Sequence, residues 1–389
     1  MTDNEIVDDE PLENVPPDTR LVDNASVNNA ILGGLFLAPV MQGRDFTLRL
    51  PYEVPPALGA LPAPTPAFTG YENELADLAQ LLARDTSHGA PVVVLSGLTG
   101  SGKTELALTA AHRAVAQGRF PGGALFAHVA QLHGPALLGG LLRAMGLPAD
   151  RVPPSPTARS ALYALILTQL ARHGRPLLLV LDDVTHPGQL AGLLPAAAPA
   201  TTIVTTPAHL GELGTHRIVL RPSATADGPR LLHRALTMAH PDDTRILDHP
   251  QEAAQIADLC DGLPLALRTA AVLLAENPYR PLSALAADLA DSSTRLAELT
   301  HPDGDLHTRL DACHARLNPA QARLLRLLAL RDEPETTTPT LAALCAEPED
   351  TVRDRLTTLQ YLVESGTAPD SWRMRELVRL YVRARADTS

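Results

Sequence analysis

Lysine is almost missing from this 389-residue sequence: of its 32 Lys and Arg residues, all but Lys103 are arginine. Aromatic residues make up only 3%, so the cores must be built from Leu, Ala and Val, which favours helices. Cysteine is scarce as well. Cys260, Cys313 and Cys345 are far apart and show no CxxC spacing, which argues against a disulfide framework or a thiolate metal site. Buried free thiols in a reducing compartment are expected instead. No apolar run approaches the roughly 18 residues that span a bilayer. The N-terminus is acidic rather than basic-then-apolar, so no secretory signal is expected. Basic charge is also in deficit, with a net charge of −12, which argues against a general nucleic-acid or anionic-membrane binder. A cytoplasmic protein with neither a membrane nor a nucleic acid as partner is the expectation.

What is present starts with the lysine that remains. A GC-rich codon bias explains why arginine replaces lysine, but not which lysine survives. Lys103 sits within Gly97-Leu98-Thr99-Gly100-Ser101-Gly102-Lys103-Thr104. There a compact ammonium on a flexible stem must fold back against phosphates, and a planar guanidinium is no substitute.

The length predicts more than one domain. Residues 1–66 open with an acidic stretch and close with a proline-rich linker. Between these, residues 31–37 and 46–50 admit a short hairpin, read either as a recognition or assembly element or as a loosely ordered tail. Residues 67–223 alternate apolar strands with amphipathic helices, with strands at 92–95, 123–129, 177–181 and 201–205. This pattern implies an α/β fold: a parallel sheet with helices on both faces. From 224 to 318 the strand signals disappear and leucine, alanine and arginine recur at helical spacing. Residues 319–389 read as helices followed by a small hairpin and a last helix, which fits a C-terminal winged-helix domain. No repeat of solenoid period is present.

Two motifs carry chemistry. Residues 97–104 fit GxxxxGK[ST] at every fixed position, with a strand before and a helix after. Glycines let successive backbone N–H groups turn inward as an anion nest, and the helix N-terminus adds its dipole. Lys103 is expected to reach the β- and γ-phosphates of ATP or ADP, and Thr104 to place its hydroxyl on Mg²⁺. Glu105 follows directly and is counted with the loop in nucleotide binding. The second motif is the apolar strand 177–181 ending in Asp182-Asp183. Asp182 is expected to hold Mg²⁺, and Asp183 to orient or deprotonate the attacking water. The plainer reading makes the two acids caps of the following helix.

Further segments narrow the choice. Phe68-Thr69-Gly70-Tyr71-Glu72-Asn73-Glu74-Leu75 resembles the FVGRExEL entry of the STAND/NB-ARC P-loop NTPases. Thr201-Thr202-Ile203-Val204-Thr205-Thr206 is similar to their sensor strand, and Cys260-Asp261-Gly262-Leu263-Pro264-Leu265-Ala266-Leu267 to GLPLAL. Met374-Arg375-Glu376-Leu377 aligns with MHDL. Phe120-Pro121-Gly122-Gly123 and Val378-Arg379-Leu380-Tyr381 resemble the nucleotide-binding region of SARP-type bacterial regulators. The resemblance covers residues 67–386. It implies a slow ATPase acting as a signalling switch, closed with ADP and self-associating with ATP. It also implies that Pro264 packs near the adenine, although Gly262-Leu263-Pro264 is equally a break between two helices.

Three departures matter. Pro207 stands where the sensor arginine is expected, and loss of a guanidinium from transition-state charge slows hydrolysis. Arg217 is a candidate replacement. Tyr71 replaces the arginine of the entry motif. Arg375 stands where the family has the histidine that reads the ADP β-phosphate, and it is expected to strengthen the ADP-bound state, unless it is a solvent-facing arginine on the wing. Two alternative functions remain: a nucleotide-locked assembly module with negligible turnover, and a transcriptional regulator using the winged helix. A sensor or effector is expected to be a separate protein.

Overall fold

The computed structural model describes residues 61–65, 68–84, 91–129, 134–194, 200–207, 216–222, 227–302 and 305–387. The hairpin read at 31–50 and most of the proline-rich stretch lie outside these residues. Residues 61–65 are docked rather than an extended linker. Leu61 is buried, the Thr65 amide and hydroxyl donate to the Glu105 carboxylate at 2.8 and 2.7 Å, and the Pro62 carbonyl lies 2.8 Å from His112 Nε2.

The first half contains α1 (Glu72–Leu82), β1 (Val92–Gly97), α2 (Lys103–Ala116), β2 (Ala124–His128), α3 (Gly134–Ala144), α4 (Pro156–Arg172), β3 (Leu178–Asp182), β4 (Thr201–Thr206) and β5 (His216–Leu220). The five strands form a parallel sheet in the order β2-β3-β4-β1-β5. β3 and β4 are buried at every position, as strands covered on both faces must be. β5 is a strand that the pattern of apolar runs does not announce. It lies at the sheet edge and alternates between more and less exposed positions, so it carries no continuous apolar run.

The second half runs through α5 (Gly228–Ala239), α6 (Arg245–Asp248), α7 (Pro250–Leu259), α8 (Pro264–Glu276), α9 (Leu282–Ala290), α10 (Arg295–Glu298) and α11 (Leu306–His314). It ends with α12 (Pro319–Ala329), β6 (Thr336–Thr337), α13 (Thr338–Cys345), α14 (Glu349–Thr358), β7 (Glu364–Ser365), β8 (Ser371–Arg373) and α15 (Glu376–Asp387). The short strands pair antiparallel in the order β6-β8-β7, completing the winged helix. Local chemistry sets the helix starts. Asp305 accepts from the Thr308 amide at 2.7 Å to cap α11. Asn318 and Gln321 form a reciprocal capping box ahead of Pro319 at the start of α12.

One apolar core fills the space between the sheet and α1–α2. A second runs without interruption from the helical segment into the winged helix, and Leu98 of the glycine-rich loop is buried in it at 2% exposure. Burying a leucine stabilises by roughly 1.5–3 kcal/mol. The loop is thereby fastened to the half of the molecule it faces.

Candidate functional site

Parallel pairing brings the carboxyl ends of the strands to one edge of the sheet, where ligands of open α/β sheets bind. A cavity of about 360 Å³ opens there, lined from the sheet half by Thr99, Gly100, Gly102, Lys103, Thr104 and Glu105 with Asp182 and Asp183. Its volume falls within the usual range of small-molecule sites, roughly 300–1,000 Å³. Phe68, Tyr71, Leu231, Pro264 and Leu265 also line it, and the Phe68 and Tyr71 rings stack with centroids 6.4 Å apart.

The loop between β1 and α2 needs its glycines. Gly97 has φ +145°, and a Cβ there would sit 2.6 Å from the Leu220 carbonyl oxygen. Gly102 has φ +90° and turns the chain into α2. The first amides of α2, from Lys103, Thr104 and Glu105, have no protein acceptor among the described residues. They are the unsatisfied donors of a helix start and suit an anion. The Ser101 hydroxyl is likewise buried without a hydrogen-bond partner among the described residues.

The Lys103 ammonium donates to the carbonyls of Gly97 and Leu98 at 3.0 and 2.7 Å. Gly97, Leu98 and Ser101 thus serve the site through the backbone rather than by lining the cavity. Burial lowers the Lys103 pKa to about 8, an effect that Asp183, Cys313 and Asp182 partly oppose. Tyr71, in the place of the expected arginine, donates to the Ser101 carbonyl at 2.9 Å, and burial raises its hydroxyl well above the usual range.

Asp182 closes β3. Its Oδ1 accepts from Thr104 Oγ1 at 2.7 Å and Thr205 Oγ1 at 2.6 Å, and His128 Nδ1 lies 3.0 Å from its Oδ2. Hydroxyl and carboxylate oxygens side by side are the hard donors Mg²⁺ takes when phosphates and water complete its shell. No cluster of three or more His, Cys, Asp or Glu forms an all-protein metal cage among the described residues. Thr104 and Asp182 are the residues that would hold such an ion beside bound phosphates. Asp183 adopts φ +56°, with its amide donating to Thr205 Oγ1 at 2.9 Å. Its Oδ2 pairs with Arg316 at 3.2 Å. Neither acid caps a following helix.

His128 and Arg316 join the site without a motif of their own, and Thr205 joins it from the segment likened to the sensor strand. His128 and Asp182 are register partners on adjacent strands, so knowledge of the strand order finds that pair. Arg316 comes from a turn remote in sequence and carries no local signal.

The cavity's other wall comes from the second half, with Arg268, Arg309, Cys313 and Arg316. Contact is direct. The Thr99 amide donates to the Tyr361 carbonyl at 3.0 Å, the Leu265 amide donates to Gly100 O at 3.2 Å, and Thr99 Oγ1 lies 3.3 Å from Cys313 Sγ. Cys260, Cys313 and Cys345 are buried and free.

Two expectations change. Arg375 is not part of the cavity lining. It forms an ion pair with Glu364 at 3.1 Å and donates to the carbonyls of Asp261 (2.5 Å) and Pro222 (3.2 Å). A guanidinium committed to a carboxylate and two carbonyls is not pointed at a phosphate, nor is it a solvent-facing wing residue. Arg217 lines a separate cleft, donating to Ser96 Oγ at 3.0 Å and Gln360 Oε1 at 3.3 Å. That cleft shares Pro207 with the cavity, but Arg217 is not among the cavity's lining residues. Pro264 begins α8 and lines the cavity, so the helix break and the cavity contact occur together.

Comparison with known proteins agrees with this geometry. Residues 67–220 match the AAA ATPase domain. The regulatory protein AfsR of Streptomyces coelicolor is 34% identical over 340 residues, and that of Streptomyces griseus is 33% identical over 335. Each alignment covers 84% of this chain and 33% of the relative, so the chain spans about a third of their length. The Walker-type ATPase of Pyrococcus abyssi superposes with a TM-score of 0.52 at 14% identity, covering 81% of this chain and 96% of that one.

Proposed function

Because residues 67–220 match the AAA ATPase domain and the chain resembles a third of AfsR, we propose that it is a STAND-type ATP/ADP switch. In this reading slow hydrolysis serves as a timer and nucleotide state controls conformation and self-association. One observation carries the reading: a wing carbonyl, Tyr361 O, occupies a phosphate-loop amide, Thr99 N–H. A nucleotide entering the loop must therefore coexist with or displace the winged helix.

The residues divide the work. The α2 amides and Lys103 bind the phosphates, and Thr104 and Asp182 hold Mg²⁺, which neutralises phosphate charge when bound. Asp183 orients or accepts a proton from the attacking water. In the described structure Asp183 is instead tied to Arg316, an arrangement suited to storage of nucleotide rather than turnover. Pro207 lines the cavity in place of a sensor cation. It favours the second reading, a nucleotide-locked assembly module with negligible turnover.

A DNA-binding wing draws less support. Arg379 and Arg383 donate to the Arg331 and Ala329 carbonyls, and Arg385 pairs with Asp311. A cytoplasmic setting and a separate sensor or effector protein belong to the same proposal. Among the described residues no helix is long and apolar enough to cross a membrane.

The test is to identify the nucleotide released from freshly purified protein and to measure mass in solution with ADP or a non-hydrolysable ATP analogue. Bound ADP and a monomer that assembles with the analogue support the switch; protein that neither carries nor binds nucleotide refutes it. Single-turnover hydrolysis separates the two readings. A rate shared by wild type, Lys103→Ala and Asp183→Asn favours the locked module.

A further inference from the structure

We infer that Arg309 and Arg316 read the γ-phosphate, the role Pro207 leaves vacant on β4. This inference rests on the ATP/ADP reading of the cavity and assigns its discrimination to the half of the molecule opposite the sheet.

Four observations converge. Both arginines line the cavity that contains Lys103, Asp182 and Asp183. Arg316 lies 3.2 Å from Asp183, beside the position of the terminal phosphate and its attacking water. Arg309 extends from α11, and its positive charge acts on the Lys103 ammonium. Its guanidinium has no hydrogen-bond or ion-pair partner among the described residues. The alternative cation, Arg217, faces a different cleft.

Charge makes the site selective. The cavity is lined by Lys103, Arg268, Arg309 and Arg316 against Glu105, Asp182 and Asp183, which leaves one positive charge in excess. ATP brings one more negative charge than ADP to this place. With ADP, Arg316 keeps its partner Asp183. A γ-phosphate offers both guanidiniums a stronger, bidentate acceptor and draws Arg316 away from Asp183, freeing that carboxylate.

The same contact reaches the winged helix. Arg309 shares α11 with Asp311, whose carboxylate accepts from the Tyr381 hydroxyl at 2.7 Å and pairs with Arg385 of α15. A shift of α11 toward phosphate therefore pulls on the last helix of the wing.

The experiment measures the affinity of the full chain for Mg·ADP and for a Mg-bound non-hydrolysable ATP analogue. The proteins compared are wild type, Arg309→Ala, Arg316→Ala, the double variant and Arg309→Lys/Arg316→Lys. The expected result is at least a tenfold loss for the analogue in the double variant, a change of less than about twofold for ADP, and partial recovery with the lysines. Retained ADP binding shows that the variants fold and that the nucleotide-binding reading stands. Equal losses for both nucleotides, or wild-type affinity for both, overturn the inference alone. Failure of wild type to bind either nucleotide overturns the inference and the switch reading together.

Discussion

The Thr99 amide donates a hydrogen bond to the Tyr361 carbonyl at 3.0 Å, joining the phosphate loop to the segment between α14 and β7. Leu98, one residue earlier, is buried in the core of the helical and winged segments. The loop is thus simultaneously a ligand cradle and a structural contact of the wing. Arg375 is a further tie, bridging Glu364 to the carbonyls of Asp261 and Pro222. Asp261 adds a second tie by accepting from the Leu377 amide at 2.6 Å.

Removing that bridge loosens the contact. Arg375→Ala leaves Glu364 with Arg373 (2.9 Å) as its one ion-pair partner among the described residues and strips two carbonyls of a charged donor. Breaking a largely buried pair of this kind costs about 3–5 kcal/mol. The expected outcome is faster hydrogen exchange at the amides of the phosphate loop and of residues 361–365, with the strands β3 and β4 unchanged. Hydrogen-exchange mass spectrometry of the nucleotide-free protein checks it.

Gly97 tests the loop from the other side. At its φ of +145°, an added Cβ would lie 2.6 Å from Leu220 O, so a side chain meets a backbone atom that has no room to give. Gly97→Ala is expected to cost about 2–4 kcal/mol of stability, with loss of nucleotide binding as β1 and β5 separate at their carboxyl ends. Chemical denaturation gives the first quantity. Gly118→Ala, at a positive-φ glycine with nothing within 4 Å, is the control, costing only about 1 kcal/mol of backbone strain.

Most of the sheet and the loop is legible in the sequence because local signals there coincide with the fold. β1 and β3 are continuous apolar runs, the glycines and Lys103 have fixed spacing, and the order of strand and helix dictates a parallel sheet. GLPLAL locates Pro264 for the same reason: the motif is short and its geometry is set by one helix start. The misreadings have a common cause. Arg375 and Arg217, and Arg316, which no motif points to, are long side chains whose partners are set by how the second half closes onto the first, and no local pattern encodes that. β5 escapes notice because an edge strand needs apolar residues at alternate positions only. The docked segment 61–65 does so because prolines permit an extended chain to pack as readily as to hang free.

Mg²⁺ dependence probes Asp182. With Thr104, Thr205 and His128 all within 3.0 Å of its carboxylate, Asp182→Asn retains the shape of the site and removes one negative charge. Nucleotide affinity without Mg²⁺ is expected to hold or rise, because phosphate no longer faces that charge. The enhancement produced by adding Mg²⁺ should fall by at least tenfold. Titrations with and without chelator measure both, and a variant with wild-type Mg²⁺ enhancement would remove Asp182 from the metal site.

Lys103 gives the pH prediction. Its folded pKa of about 8 lies below the ordinary lysine value of 10.5, so between those values the unfolded chain binds more protons than the folded one. Stability from this group therefore rises with pH across the window from 8 to 10.5, and below 8 the buried ammonium costs its full penalty. Lys103→Met removes that penalty. At neutral pH the nucleotide-free variant is expected to be more stable than wild type by ~3 kcal/mol, while losing the stabilisation that ADP confers. Phosphate needs the charged form, so ADP affinity of wild type should decline as pH rises above 8, and binding at pH 8–9 should take up a proton. Calorimetry in two buffers of different ionisation enthalpy measures that uptake. A pH-independent affinity from 7 to 9 with no proton exchange would place the lysine pKa outside this window and its ammonium outside a buried site.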